Sequence, residues 1–300
     1  KLIEAELSEN KYDLIHAETF YIMQNIPKTT LPIVLTEHNV EYDVYKKWVD
    51  SFWFFPLRPL LYLDILKLKF WEERYWSKAG KLIAVSDTDQ RTMESEIKTK
   101  VELVPNGVDF GYFSEIKKTE PKVPIVVFAG SFMWMQNKDA VFYLLKKLWP
   151  EIKIKMKGNV RLWIVGNNAK SIVSRINDNL VKVENRVSDI RRVYSSSTIL
   201  LAPLRIGGGT KFKILESMAS GLPVVTTPMG VHGMGRDTNG ILIGKDAEEL
   251  INQSVRLLTD RALRIEISQK EKQFIKKFFD WEDISRHLDE IYHNVTTQTI

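Results

Sequence analysis

Ala202-Pro-Leu-Arg-Ile-Gly-Gly-Gly-Thr-Lys-Phe-Lys-Ile-Leu-Glu-Ser-Met-Ala-Ser-Gly-Leu-Pro-Val-Val225 is the stretch whose reading decides the fold. An apolar run leads into Gly207, Gly208 and Gly209, and a helical pattern begins near Thr210, which predicts a strand, a glycine-rich turn and a helix. Three glycines let the backbone approach a ligand closely, and the free N–H groups and positive dipole end of the new helix favour a phosphate. Arg205 and Lys211 add charge there, and Glu216, about two turns into the helix, is placed to accept hydrogen bonds from sugar hydroxyls. The Walker A spacing is missing. Taken alone, the glycines also fit a flexible loop before an ordinary amphipathic helix.

Outward from this stretch, short apolar runs alternate with longer helical patterns, the signature of parallel βα units. Candidate strands are 13–17, 33–36, 81–85 and 101–104 in the first part, then 125–129, 161–165, 181–184, 198–202, 223–226 and 241–243. Helices are expected over 87–98, 139–154, 189–195 and 211–220, several opened by Ser or Asp caps. The charged segment 114–124 carries two prolines, and the βα rhythm restarts after it. The expected fold class is therefore α/β: two doubly wound Rossmann-like domains facing a cleft, with residues 1–118 on one side and 119–280 on the other.

Of the 300 residues, 44% are hydrophobic and 27% charged, which excludes a wholly disordered chain. With no cysteine, disulfide scaffolds, cysteine nucleophiles and thiolate metal sites are all excluded. A net charge of +5 with mixed signs points to contact with anions rather than a nucleic-acid coat. The greasiest segment, 52–66, is cut by Pro56, Arg58, Pro59 and Asp64, too soon for a membrane span. The chain opens on Lys1 without a signal peptide and reaches a strand within a dozen residues. We expect it to be cytoplasmic and the remainder of a longer protein.

The 202–225 stretch resembles the donor-binding segment of family 4 glycosyltransferases of GT-B fold, where Glu is followed by Ala-x-Gly-x-Pro-Val-Val. Other pieces stand in that family's order: His38-Asn-Val-Glu41, Ala84-Val-Ser86, Pro105-Asn-Gly-Val-Asp109, Phe128 to Asn137 with Asp139-Ala140, Leu148-Trp-Pro150 and Leu162-Trp-Ile-Val-Gly166. The similarity runs from about Tyr12 to Val295. Eight residues before Glu216, where the family has a first acid, stands Gly208. The family's opening strand and glycine-rich loop precede the first residue here, so the first domain is expected to be truncated.

This resemblance implies retaining sugar transfer from a nucleotide-diphosphate sugar to a glycan or lipid-linked acceptor in cell-surface polysaccharide synthesis. Glu216 would hold the ribose, and Gly208, Gly209 and Thr210 would meet the donor sugar or diphosphate. Arg205, Lys211 or Lys213 would neutralise the leaving diphosphate. Positions 211 and 213 are about 200° apart on a helix, so at most one is expected to point inward, with Lys211 favoured. Gly130 and Ser131 would lie beside the diphosphate, 183–187 including Val187 would pass the base, and His38 would touch the transferred sugar. No cofactor and no metal are expected. Asp87-Thr-Asp89, which looks like the Asp-x-Asp metal motif of another glycosyltransferase fold, is read as helix capping. The helix over 281–295 is expected to cross back to the first domain, taking 281–300 with it.

Two other functions remain open: a sugar-nucleotide epimerase of the same architecture, and a degenerate nucleotide-sugar-binding protein suggested by Gly208. Four of the eight tryptophans lie between Trp48 and Trp76, among Phe52, Phe54, Phe55 and several basic residues. That mixture suits peripheral contact with the inner membrane face through 48–76, and equally a helical subdomain that buries its aromatics. No nucleic-acid partner is expected.

Overall fold

The computed structural model describes residues 1–51, 56, 58–173, 176–207, 209–235, 238 and 240–297. The chain divides into two units: Lys1–Asn106 with Gly208–Thr210 and Ile284–Ile300, and Gly107–Gly207 with Lys211–Asp283. The division falls ahead of the proline-containing segment at which composition placed it. The chain is already committed to the second unit at Val108, whose N–H and C=O bond Phe279 and Trp281 at 2.8 and 3.1 Å, and at Phe113, which is buried in that unit's core.

The first unit opens with α1 (Leu2–Glu9) and contains β1 (Ile15–Glu18), α2 (Phe20–Met23), β2 (Ile33–Glu37), α3 (Glu41–Ser51), α4 (Arg58–Trp76), β3 (Lys81–Ala84), α5 (Asp87–Ile97) and β4 (Val101–Leu103). Its four strands are parallel and lie in chain order, β1-β2-β3-β4. Strand residues alternate between two apolar layers. Leu35, Leu82, Ala84 and Val101 pack with Trp76 and Met93 on one face, and Val34, Ile83 and Val104 pack with Ile284, Ile291 and Val295 on the other. The last three belong to the C-terminal helix, so 284–297 completes the first unit's second layer.

Two buried carboxylates organise the turn after β2. Glu72 is fully buried on α4, and its oxygens accept the N–H groups of Glu41 and Tyr42 at 2.8 and 2.9 Å. A side chain from another helix thus caps α3 and places negative charge at its positive end. Burial lifts Glu72 to about 7 despite those two bonds. Glu37 ends β2, accepts the Trp76 indole N–H at 3.0 Å, and is pushed by burial to about 8.

The second unit runs α6 (Phe110–Ser114), β5 (Ile125–Ala129), α7 (Met135–Tyr143), a π-helical turn (Leu144–Leu148), α8 (Trp149–Lys155), β6 (Arg161–Val165), α9 (Ala169–Ile172), β7 (Val181–Glu184), α10 (Ile190–Ser196), β8 (Ile199–Ala202), α11 (Phe212–Ala219), β9 (Val224–Thr226), β10 (Leu242–Ile243), α12 (Ala247–Thr259) and α13 (Arg261–Phe278). It hands over to α14 (Trp281–Thr297). Its parallel sheet has the order β10-β9-β8-β5-β6-β7, so the winding reverses at β5. Strands leave that point in both directions, and the loops after β5 and β8 diverge around a crevice, where open α/β sheets bind ligands. The central strands are apolar throughout because helices cover both faces: Val126, Val127, Phe128, Leu162, Ile164 and Leu200–Ala202 are all buried.

The aromatic cluster at 52–55 and Gly208 lie outside the described residues. Among the described residues, no helix is long and apolar enough to cross a membrane.

Candidate functional site

Strands β5 and β6 pair in register, Ala129 opposite Val165, so each runs into a glycine at the same level, Gly130 and Gly166. They are close-packed: a Cβ on Gly166, which has φ +143°, would lie 1.8 Å from the Gly130 carbonyl oxygen. Gly130 donates its N–H to Val165 at 3.0 Å. Its own missing Cβ leaves room for Lys213, whose Nζ would lie 2.7 Å from it. The loop continues through Ser131, whose carbonyl accepts the Asn137 side-chain N–H at 2.8 Å.

On the other side of the switch point, β8 runs into the glycine turn. Gly207 and Gly209 both have positive φ, +124° and +62°, so both use a conformation that suits glycine. The hydroxyl of Thr210 is buried with no hydrogen-bond partner among the described residues. Lys211 is the N-cap residue, with extended φ −99°, ψ 93°, and α11 starts only at Phe212. This overturns the helical-wheel expectation for the two lysines. Because Lys211 stands before the helix, the 200° separation does not apply, and both side chains turn inward. Lys211 is only 9% exposed. The Lys213 ammonium lies 4.7 Å from the Phe128 ring centroid and donates to the Asn137 side-chain oxygen.

Burial sets the electrostatics here. It lowers Lys211 to about 8, and it lowers Lys213 to about 7, helped by repulsion from Lys211 and opposed by Glu216. Glu216 is raised by burial, against the pull of Lys213 and of a 2.9 Å hydrogen bond from the Tyr194 hydroxyl. Its second oxygen carries no hydrogen bond among the described residues. Arg205 points elsewhere: its guanidinium forms a two-point pair with Asp139, lies 4.5 Å from the Tyr143 ring centroid, and stays half exposed. Val187 is half buried against the unit's core beyond β7. Gly130, Ser131, Lys211, Lys213 and Glu216 therefore share one end of the second sheet, while Arg205 is held in an ion pair at its margin.

His38 belongs to the first unit, just past β2. Its Nε2 lies 2.8 Å from a Glu18 carboxylate oxygen at the end of β1. The parallel register brings this about, because Glu18 pairs with Thr36 and so stands beside the residues that follow. Asp87 and Asp89 open α5: the Asp89 N–H donates to the N-cap Ser86 hydroxyl at 3.1 Å, and Asp87 pairs with Arg91 at 2.8 Å. Among the described residues, no group of three His, Asp or Glu side chains is placed to hold a metal.

Four contributors carry no sequence-assigned role: Asn137, which holds Lys213; Gly166, which packs on Gly130; Tyr194, which orients Glu216; and Glu18, which orients His38. Asn137 and Gly166 stand inside the motifs already noted, so their position could have flagged them. Tyr194 and Glu18 have no local signal, since their partners are distant in the chain.

Comparison with known proteins bears on the whole chain. Residues 1–111 match Glycosyltransferase Family 4, and residues 123–260 match Glycosyl transferases group 1. An uncharacterized 44.6 kDa protein in the cps region of Klebsiella pneumoniae is 24% identical over 267 residues, covering 85% of this chain and 67% of that protein. Sucrose-phosphate synthase from Thermosynechococcus elongatus superposes with a TM-score of 0.72 at 17% identity, over 98% of this chain and 76% of its own. WaaG, a glycosyltransferase involved in lipopolysaccharide biosynthesis, gives 0.63 at 16% identity over 96% and 80%. Anabaena HepE, solved with UDP-glucose, gives 0.64 at 17% identity over 94% and 79%. With two parallel-sheet α/β domains, family matches along both parts of the sequence and fold relatives of this kind, the chain belongs to the family 4, group 1 glycosyltransferases of GT-B fold.

Proposed function

We propose that the chain transfers a sugar, with retention of configuration, from a nucleoside-diphosphate sugar to a glycan or lipid-linked acceptor in cell-surface polysaccharide synthesis. The observation that carries this reading is the pair of inward-turned lysines, Lys211 and Lys213, beside Gly130 and Glu216 at the switch point of the second sheet. Two ammonium groups held out of water and repelling one another are stabilised by an incoming diphosphate. Glu216, held by Tyr194, keeps an oxygen for ribose hydroxyls. Gly209 lets the backbone approach the donor closely, and Thr210 supplies its N–H and a hydroxyl that has no partner among the described residues.

In the proposed reaction the bond from the sugar's anomeric carbon to the diphosphate oxygen breaks while the acceptor oxygen bonds that carbon from the same face. The acceptor proton passes to the departing phosphate oxygen. Lys211 and Lys213 stabilise the charge growing on the leaving group, so the reading assigns no metal or cofactor to this step. His38, oriented by Glu18, is the proposed contact to the transferred sugar.

The relatives' descriptions support the pathway: one lies in a cps region and another acts in lipopolysaccharide biosynthesis. For a lipid-linked acceptor, α4 offers an apolar stripe: Leu60, Leu63, Leu66 and Phe70 are all more than half exposed, next to Lys67. We place this stripe at the inner membrane face, and co-sedimentation with anionic vesicles tests it.

The direct test of the donor site is calorimetric titration of UDP, GDP and ADP into this chain and into Glu216→Ala. One nucleotide should bind, and at least tenfold more weakly to the variant. Failure of all three to bind the folded chain, or equal binding by the variant, overturns the site. Product analysis with the matching nucleotide sugar then separates transfer from epimerisation.

A further inference from the structure

The opposite end of the second sheet holds a cavity of about 380 Å³. Its floor is formed where β8 and β9 begin, at Thr198 and Pro223, and one wall is the first three turns of α13. The donor turn lies past the other end of the same strands, about 13 Å away along the four residues of β8. The two places are distinct.

Four basic side chains line this cavity, Lys118, Arg261, Arg264 and Lys272, against one carboxylate, Glu120. Glu120 pairs with Arg264, whose side chain is only 12% exposed. The lysines are held by neutral oxygens. The Lys118 ammonium donates to the carbonyls of Tyr194 and Ser197, and that of Lys272 to the carbonyl of Ser114 at 3.3 Å. Backbone carbonyls satisfy hydrogen bonds without cancelling charge, so a surplus of positive charge is concentrated in a concave space. Burial lowers both lysines, Lys118 to about 7 with repulsion from Lys272 adding to it and the Glu120 carboxylate opposing it.

The local backbone is shaped for this crowding. Gly221 (φ +73°) ends the turn after α11, and a Cβ there would lie 2.8 Å from both Lys272 Cε and the Ser268 hydroxyl. Ser268, Gln269 and Thr119 add uncharged polar groups to the lining. A lining of one exposed guanidinium and two ammonium groups, with Arg264 held behind them by Glu120 and the Leu257 carbonyl, suits a compact dianion, and the volume leaves room for a small polyhydroxylated body beside it.

We infer that this cavity is a second anion site, separate from the donor site, for a small phosphorylated molecule of the sugar-phosphate class. The Arg261 guanidinium grips the phosphate, Arg264, fixed by Glu120 and the Leu257 carbonyl, forms the wall behind it, Lys118 and Lys272 neutralise it, and Ser268 and Gln269 meet hydroxyls.

The test is titration of inorganic phosphate and of a hexose 6-phosphate into the full chain, with and without saturating UDP. The same titrations are run on Arg261→Glu and on Lys272→Gln. Arg261 is exposed on α13, so its variant keeps the fold, checked by its melting temperature. Hexose phosphate binding that persists under UDP and falls at least tenfold in both variants supports the site. Binding that is absent, that both variants retain, or that UDP abolishes overturns it. Glucuronate binding as tightly as the hexose phosphate overturns the phosphate assignment. UDP affinity measured in the same variants reports on the donor site independently, so loss of one site is distinguishable from loss of the other.

Discussion

Nucleotide binding should take up protons, and the amount follows from Lys211 and Lys213. In the free protein these lysines titrate near 8 and 7 because burial disfavours their charged forms. At pH 8 the second is roughly nine-tenths neutral and the first roughly half neutral. A diphosphate, fully ionised at that pH, restores both to the ammonium form. Binding should therefore take up about 1.4 protons per nucleotide at pH 8, falling toward zero by pH 6.5, where both lysines are already largely charged and the diphosphate itself gives up protons. Affinity should fall as pH rises from 7 to 9, on the order of a hundredfold to a thousandfold, because protonation of two sites is then drawn from a diminishing population. The assay is calorimetry of the bound nucleotide in buffers of different ionisation enthalpy, where the slope of observed heat against buffer enthalpy counts protons. Lys213→Met should reduce the uptake at pH 8 to about 0.5, the share of Lys211. Uptake near zero at pH 8 in the unmodified chain, or an affinity that strengthens on raising pH, refutes the assignment of these two lysines to the diphosphate.

Tyr194→Phe should weaken nucleotide binding about tenfold while the chain stays folded, since it removes one hydrogen bond that orients Glu216; unchanged affinity in calorimetry counts against that role. Gly166→Ala should destabilise the second unit by more than about 3 kcal/mol in denaturant unfolding, because the new Cβ meets the Gly130 carbonyl and the backbone has positive φ. Gly130→Ala, where the clash is with the flexible end of Lys213, should keep the fold and lose nucleotide affinity. Glu37 is raised to about 8 in the fold, so its carboxyl binds more protons folded than unfolded, and its contribution to stability falls as pH rises from about 4.5 to about 8. Glu37→Gln, which keeps an acceptor for Trp76, should therefore become relatively more stable than the parent between pH 5 and pH 8 in urea titrations, and a pH-independent difference would argue against a buried ionisable Glu37.

Much of the architecture was legible because parallel βα units write themselves into local pattern. All ten expected strands are present, and β5, β6 and β7 match to the residue. Fully buried strands read as short apolar runs, and Ser86, Asp189 and Asp246 cap the helices that follow them. The glycine turn was legible for a similar reason, since positive φ and close approach leave few alternatives to glycine. The inward turn of both lysines was not legible, because it depends on α11 starting one residue later than the pattern suggested, at Phe212 rather than Lys211. The ion pair that holds Arg205 to Asp139 joins residues far apart in the chain, and no local pattern announces it.

The sequence by itself determined the α/β class, the strand positions, the glycine turn and the family, because each depends on local spacing or on motifs. Tertiary structure decided the strand order and the switch point at β5. It also decided the buried carboxylates that fix the turn after β2, the pairing of Glu216 with Tyr194 and of His38 with Glu18, and the basic cavity beneath the second sheet. These depend on which distant side chains share a low-dielectric space, and burial, more than residue type, sets the charge each one carries.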